Sequence, residues 1–271
     1  DLKHFAELAF DKANKIIAYR VNTFCNLGAY NSRFGQNIQT ALFSKVLMGV
    51  YDVQTTYLNV VGIYTNTTQV DAYRGAGRPE AIYLLERMMD RAARELQIDP
   101  LELRRNNFIK KGNFPYRSST GEVIDVGDFD RVLSAAEVSA DIKGFKRRKK
   151  ETEATGKLRG LGLCYYIESI LGDPSEEAKV VFQEDGEVKI LVGTQSNGQG
   201  HETVFAQFLS DQTGIPTEKI TVIQGDSDLI PNGGGTGGSR SVTVQNNATL
   251  ATVEKVIQSF SQYLAEKLGF D

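Results

Sequence analysis

The apolar positions Val188, Ile190 and Val192 recur with a period of two and predict a strand over 187–192. Val204, Phe205, Phe208 and Leu209 then fall at helical spacing, and Gly214 followed by Pro216 marks where that helix stops. A further strand is predicted over 219–224. Between the first strand and the helix lies Gly193-Thr-Gln-Ser-Asn-Gly-Gln-Gly-His201, so a glycine-rich loop joins a strand end to a helix N-terminus. Unpaired N–H groups and the positive end of the helix dipole converge there, an arrangement that suits phosphates.

The same periodicities organise the rest of the chain. Residues 5–10 and 15–23 predict a hairpin about Asp11-Lys-Ala-Asn14, 40–50 a helix, and 56–64 a strand. Pro79 and Glu80 open a helix whose apolar stripe is Ile82, Leu85, Met89, Ala92, Ala93 and Leu96, and Asp99-Pro-Leu-Glu102 is a capping box restarting a helix toward Phe108. Residues 113–126 look irregular, 129–140 helical, and 145–154 form a charged segment whose five consecutive basic residues suit a solvated face or linker. Arg159 to Ile167 predicts a strand, 179–183 pairs with 187–192 as a hairpin, and 242–268 is a long helix ended by Gly269. The expected class is therefore α+β: two α/β units of mixed sheets with flanking helices and glycine-rich loops at helix N-termini. The expected division is a first unit over 1–140, a charged linker over 141–157 and a second unit over 158–271.

Composition narrows the function. With 31 basic and 34 acidic residues in 271, the net charge of −3 offers no global field for nucleic acid, and no apolar run approaches the ~20 residues of a membrane span. The chain reads as soluble and cytoplasmic. Cys25 and Cys164 lie in apolar or aromatic surroundings and predict reduced core thiols. With His4 and His201 the only histidines, a protein-ligated zinc or iron–sulphur centre is excluded, so no side chain is expected to ligate a metal. The first residues run straight into strand-like sequence, which predicts a piece of a longer subunit.

Two glycine runs carry the candidate chemistry. In the first, Gly198 and Gly200 let a ligand approach the backbone, while Gln195, Ser196, Asn197 and Gln199 offer donors and acceptors beside His201. Neither a P-loop nor a Gly-x-Gly-x-x-Gly fingerprint fits. The second, Gly233-Gly-Gly-Thr-Gly-Gly-Ser-Arg-Ser241, includes Gly237 and Gly238 and opens the long helix, with Ser239 and Ser241 as expected N-caps and Arg240 as a positive charge beside them. Two such helix N-termini predict two anchoring points on one ligand, a pyrophosphate or dinucleotide, in one cleft. Taken singly, each run is equally a glycine-rich turn.

Together with Ala72-Tyr-Arg-Gly-Ala-Gly-Arg-Pro-Glu-Ala81, these runs resemble the molybdenum-cofactor-binding large subunit of the xanthine oxidase, carbon monoxide dehydrogenase and aldehyde oxidase family, in order and over nearly the whole chain. The resemblance implies a molybdopterin dinucleotide, in bacteria the cytosine form, whose dithiolene rather than the protein ligates molybdenum. It implies that Gln195 to His201 line the pterin and pyrophosphate, that Gly237 to Ser241 hold the remainder, and that Arg74, Gly75 and Ala76 approach metal and substrate. Partners implied are 2Fe-2S and FAD subunits, the remaining segments of the large subunit and a small-molecule substrate; homo-oligomerisation stays open, and nucleic acid and membrane are not expected.

Departures from the family pattern narrow the substrate. Gly75 stands where carbon monoxide dehydrogenases carry a copper-binding cysteine, Ala76 where purine hydroxylases carry a stacking Phe, and Leu42 where they carry a substrate-orienting Arg. An N-heteroaromatic ring other than xanthine, or an aldehyde, is expected, oxidised by water-derived hydroxylation. The family's Gly-Glu-Gly base segment and its Gly-Gly-x-Phe-Gly loop are both missing, and nothing marks Glu168, Glu202 or Asp226 as a substitute base. The 271 residues alone are thus expected to hold no molybdenum and to lack hydroxylase activity. The competing reading is a stand-alone, non-catalytic nucleotide-binding module.

Overall fold

A computed structural model describes residues 1–170 and 174–269 and divides the chain into two compact units, Asp1–Glu168 and Ser169–Asp271. In the first unit, β1 (Leu2–Phe10) and β2 (Ile16–Gly28) pair antiparallel around Asn14, whose φ of 59° supplies the left-handed residue of the turn. β3 (Thr56–Tyr64) lies parallel to β2, giving a mixed sheet of order β1-β2-β3. Between β2 and β3 the chain forms α1 (Gly35–Asn37), a π-helical turn (Ile38–Leu42) and α2 (Phe43–Lys45). The helix expected over 40–50 thus starts earlier and stops at Lys45, and Val46 to Val50 turn inward around Gly49 at φ 54°.

After β3 come α3 (Arg78–Glu95) and α4 (Pro100–Asn107). Ala81, Leu85, Met89 and Ala93 bury one face of α3, whereas Leu96, assigned to that stripe from the sequence, is exposed. Asp99 caps α4 as expected, accepting from the N–H groups of Leu101 (2.8 Å) and Glu102 (3.1 Å). Residues 113–126 contain a small ladder, β4 (Tyr116–Arg117) with β5 (Val123–Ile124), before α5 (Phe129–Ser139) and α6 (Phe145–Glu153).

Two expectations fail at the end of this unit. Residues 141–157 lie inside the first unit, and the division falls later, between Glu168 and Ser169. The stretch 159–167 keeps its alternation, with Leu163, Tyr165 and Ile167 packed on the first core, but it pairs with no described strand. Its backbone is held by side chains instead: Glu86 Oε2 accepts from the Tyr165 N–H (2.9 Å) and Arg104 donates to the Leu163 carbonyl (3.5 Å). Glu86 and Arg104 form a buried ion pair (3.0 Å), joined by Asp90 (2.9 Å) and the Tyr51 hydroxyl (2.5 Å). Cys25 is buried as expected, whereas Cys164 is exposed, on the outward side of that alternation.

The second unit repeats the plan of the first sheet. β6 (Ala178–Phe182) and β7 (Val188–Val192) form a hairpin, α7 (His201–Thr213) crosses over, and β8 (Ile220–Ile223) returns parallel to β7. Val188, Ile190 and Val192 pack on Phe205 and Leu209 of α7 and on Val253 of α8 (Ser241–Leu268). Gly214 and Gly269 end their helices in the left-handed conformation, as expected. No helix of the described residues is long and apolar enough to cross a membrane.

Candidate functional site

In the second unit the two glycine runs lie against each other. A Cβ on Gly193 would strike Glu176 and come within 2.6 Å of the Gly233 Cα, so only bare backbone fits on either side of the contact. The Gly235 N–H donates to the Gly193 carbonyl (3.2 Å), and the Gln195 N–H donates to Thr236 Oγ1 (3.0 Å), whose hydroxyl donates back to the Gln195 carbonyl (2.5 Å). The common cleft expected for 195–201 and 233–241 therefore has a physical basis in direct loop-to-loop hydrogen bonds.

Beyond this seam the first run opens toward α7. The Ser196 N–H donates to Gln224 Oε1 (2.9 Å), and the Gln224 amide donates in turn to Glu202. The Gly198 N–H donates to Ser196 Oγ (3.2 Å). Gly198 and Gly200 take φ of 98° and 81° with open space where a Cβ would stand. Gly200 is the N-cap of α7 and provides no side-chain cap, so the first-turn N–H groups from His201 onward face outward from the helix end.

His201 is nearly fully buried against Phe205, with ring centroids 4.8 Å apart. Gln199 Oε1 accepts from the Asn197 N–H, which turns its amide nitrogen toward His201 Nε2 at 3.0 Å. On this assignment the imidazole proton sits on Nδ1, a buried donor without a hydrogen-bond partner. Burial pushes the His201 pKa below its ordinary value, so the ring stays neutral in the folded unit. The unfolded chain takes up a proton as pH falls below about 6.5 while the folded state resists it, so stability present at neutral pH is lost on acidification. His4, also lowered by burial, adds the same sign in the first unit. Urea unfolding at pH 7.5 and 5.5 is expected to show a decline of at most about 1.4 kcal/mol per pH unit for each histidine, reduced in His201→Gln. An unchanged slope in that variant would show that His201 is not responsible.

The second run departs from expectation at its end. Neither Ser239 nor Ser241 caps α8: the N-cap is Arg240 with no side-chain cap bond, Ser239 adopts φ 60°, and Ser241 Oγ donates to Thr236 (3.2 Å). Arg240 does not present a free charge either. Its guanidinium is 4% exposed and pairs with the fully buried Glu176 carboxylate (2.9 Å), donating also to the carbonyls of Gly235 and Ser175 (both 2.7 Å). Glu176 further accepts from the Gly234 N–H (3.1 Å), so the pair pins the loop from behind. Gly237 and Gly238 are left on the outer side of the turn, with open space at Gly237 where a Cβ would stand. Sequence reasoning missed Glu176, Gln224 and Thr236, which lie outside any motif.

In the first unit, Tyr73 to Arg78 form two successive turns, closed by Ala76 N–H to the Tyr73 carbonyl (2.8 Å) and Arg78 N–H to the Gly75 carbonyl (2.9 Å). Gly75 and Gly77 take φ of 74° and 84°, and a Cβ on Gly77 would meet the π-turn at Ile38 and Leu42. Arg78 is buried and paired with Glu168, whereas Arg74 is exposed and has no hydrogen bond or ion pair with a described residue. Arg74 lines a cavity of about 280 Å³ together with Ala76, Gln39 and Glu80. The carboxylates weighed as substitute bases all have structural partners: Glu168 holds Arg78, Glu202 accepts from Gln224, and Asp226 accepts from the Asp228 N–H.

Comparison with known proteins agrees with this geometry. Residues 1–108 and 135–271 each match a family model described as a molybdopterin cofactor-binding domain. The chain is 32% identical over 272 residues to the carbon monoxide dehydrogenase large chain of Afipia carboxidovorans, covering 92% of this chain and 33% of that protein. It is 34% identical over 226 residues to the nicotine 6-hydroxylase large subunit of Paenarthrobacter nicotinovorans, covering 77% and 27%. Among solved structures, CO dehydrogenase from Oligotropha carboxidovorans superposes with a TM-score of 0.86 at 29% identity, over 100% of this chain and 36% of that one. Quinoline 2-oxidoreductase from Pseudomonas putida 86 superposes with a TM-score of 0.81 at 27% identity, over 94% and 34%. The chain spans about a third of the length of these relatives.

Proposed function

Since this chain belongs to the molybdopterin cofactor-binding family and corresponds to part of a molybdopterin-binding large subunit of the xanthine oxidase type, we propose that it supplies cofactor-holding loops to an oxidoreductase. The observation that carries this reading is the seam between the two glycine runs, which sets two uncapped helix N-termini and the unpartnered Nδ1 of His201 in one loop assembly. Such residues fit a polyanionic ligand with heterocyclic ends. Helix N–H groups favour pyrophosphate oxygens, and the amides of Gln195, Asn197 and Gln199 suit a pterin edge.

In this reading Gln195 to His201 hold the pterin and pyrophosphate, and Gly237 to Ser241 hold the remainder of a cytosine dinucleotide. Arg240 serves by fixing the loop through Glu176 rather than by meeting the ligand. When bound, the cofactor supplies a two-electron redox centre for hydroxylation of a small substrate with an oxygen derived from water. Iron–sulphur and FAD partners carry the electrons onward in a cytoplasmic complex, and the base that takes up a proton lies in polypeptide beyond this chain. Gly75 in place of a copper-binding cysteine disfavours carbon monoxide as substrate and leaves heteroaromatic rings and aldehydes.

Arg74, free of protein partners, stands on the substrate side. In the complete enzyme from its native host, Arg74→Ala is expected to keep stoichiometric molybdenum and an unchanged melting temperature while turnover per molybdenum falls at least tenfold, the loss expected for one charge-assisted contact of about 1.5–3 kcal/mol. Normal turnover per molybdenum in that variant would remove Arg74 from the site. Protein lacking molybdenum and binding plain nucleotides would overturn the function itself.

A further inference from the structure

The cavity behind the Arg74 loop has chemistry of its own. Leu27, Ile38 and Pro79 give it apolar walls, and Gln39 and Glu80 stand among them. Gln39 is 5% exposed, and both its Oε1 and the Oε2 of Glu80 are buried without a hydrogen-bond partner. A buried acceptor with no donor is costly, and native structures rarely keep one unless something else supplies the hydrogen. Two acceptors in one cavity therefore ask for a ligand that brings donors. Arg74 offers the opposite complement at the same cavity, a guanidinium suited to a carbonyl or an anionic group.

We infer that this cavity takes an N-heteroaromatic ring bearing an N–H or amino donor, and that it discriminates against aldehydes. An aldehyde carries one carbonyl acceptor and no donor, so its entry would leave the oxygens of Gln39 and Glu80 unpaired. A six-membered ring with an amino substituent satisfies them and packs its faces on the apolar walls. The cavity volume of about 280 Å³ suits a single small ring. Sites built around a hydrogen-bonding partner reject analogues that lack it far more strongly than apolar slots reject a missing methylene. The inference rests on the reading that puts Arg74 on the substrate side, but the binding it describes needs no cofactor.

The test titrates this chain with 2-aminopyridine and, separately, with benzaldehyde, following the backbone amide resonances of Gly35, Gln39, Ala76 and Glu80. Saturable shifts with 2-aminopyridine are expected, with benzaldehyde at least about tenfold weaker, and Gln39→Leu and Glu80→Gln each weakening 2-aminopyridine by about tenfold. Glu80→Gln keeps the shape of the side chain, so the test stands even if Gln39→Leu does not fold. Equal binding of the two probes, indifference to both substitutions, or no binding of either overturns the inference. Molybdopterin retained by the native enzyme alongside any of those results would sink this inference alone. Cavity binding as expected in a protein that never carries molybdopterin would instead sink the proposed function.

Discussion

Glu86→Ala is expected to lower the stability of the first unit by about 3–5 kcal/mol, the largest effect of any single substitution considered for this chain. Arg104 is 0% exposed and Glu86 4%, so removing the carboxylate leaves a guanidinium in the core with only the partly exposed Asp90 as acid partner. The Tyr51 hydroxyl and the Tyr165 N–H lose their acceptor at the same time. Burial holds the Tyr51 phenol in its protonated, donating form, so it cannot compensate by ionising. Thermal unfolding should show a drop on the order of 10 °C. Glu95→Ala, which breaks the exposed pair with Arg91, should stay within about 0.5 kcal/mol. A Glu86→Ala protein melting with the wild type would show that residues 163–167 are held by packing alone.

In the second unit, Glu176→Ala is expected to cost roughly 1.5–3 kcal/mol and to release bound cofactor from the complete enzyme. Its carboxylate joins the Arg240 guanidinium to the Gly234 N–H, so the substitution loosens the second glycine run exactly where the Gly193–Gly233 seam begins. Glu176→Gln keeps an acceptor for the Gly234 N–H and should lose less on both measures. Molybdenum content and urea midpoint measured on the same preparations separate the outcomes. Full molybdenum retention in a destabilised Glu176→Ala protein would mean that the seam serves the fold and not the ligand.

What could be read from the residues in order was what adjacent residues decide. The β1–β2 hairpin follows from alternation around Asn14, the start of α4 from Asp99 and Pro100, and the end of α7 from Gly214, because each signal lies within a few residues of its effect. The loops of the site were legible for the same reason, since glycine at a strand-to-helix junction is a local signal. Residues 159–167 were misread because alternation reports only that one side is buried. Whether a strand or a pair of side chains meets the backbone depends on Glu86 and Arg104, far away in sequence. Arg240 looked free for a similar reason: its partner Glu176 precedes it by 64 residues in a stretch with no motif. Ser241 was expected to cap α8, yet Thr236 offers its hydroxyl a partner.

Because Gly193 and Gly233 meet through bare backbone and the Gln195–Thr236 bonds close the seam, the protein itself orders both loops. Fixing a backbone residue costs about 1–2 kcal/mol in lost chain entropy. Here folding bears that cost in advance, so an incoming ligand spends little of its contact energy on arranging its receptor. The expected signature is slow escape rather than fast capture: once seated, a ligand leaves by breaking its own contacts, since the walls around it have no looser state to relax into.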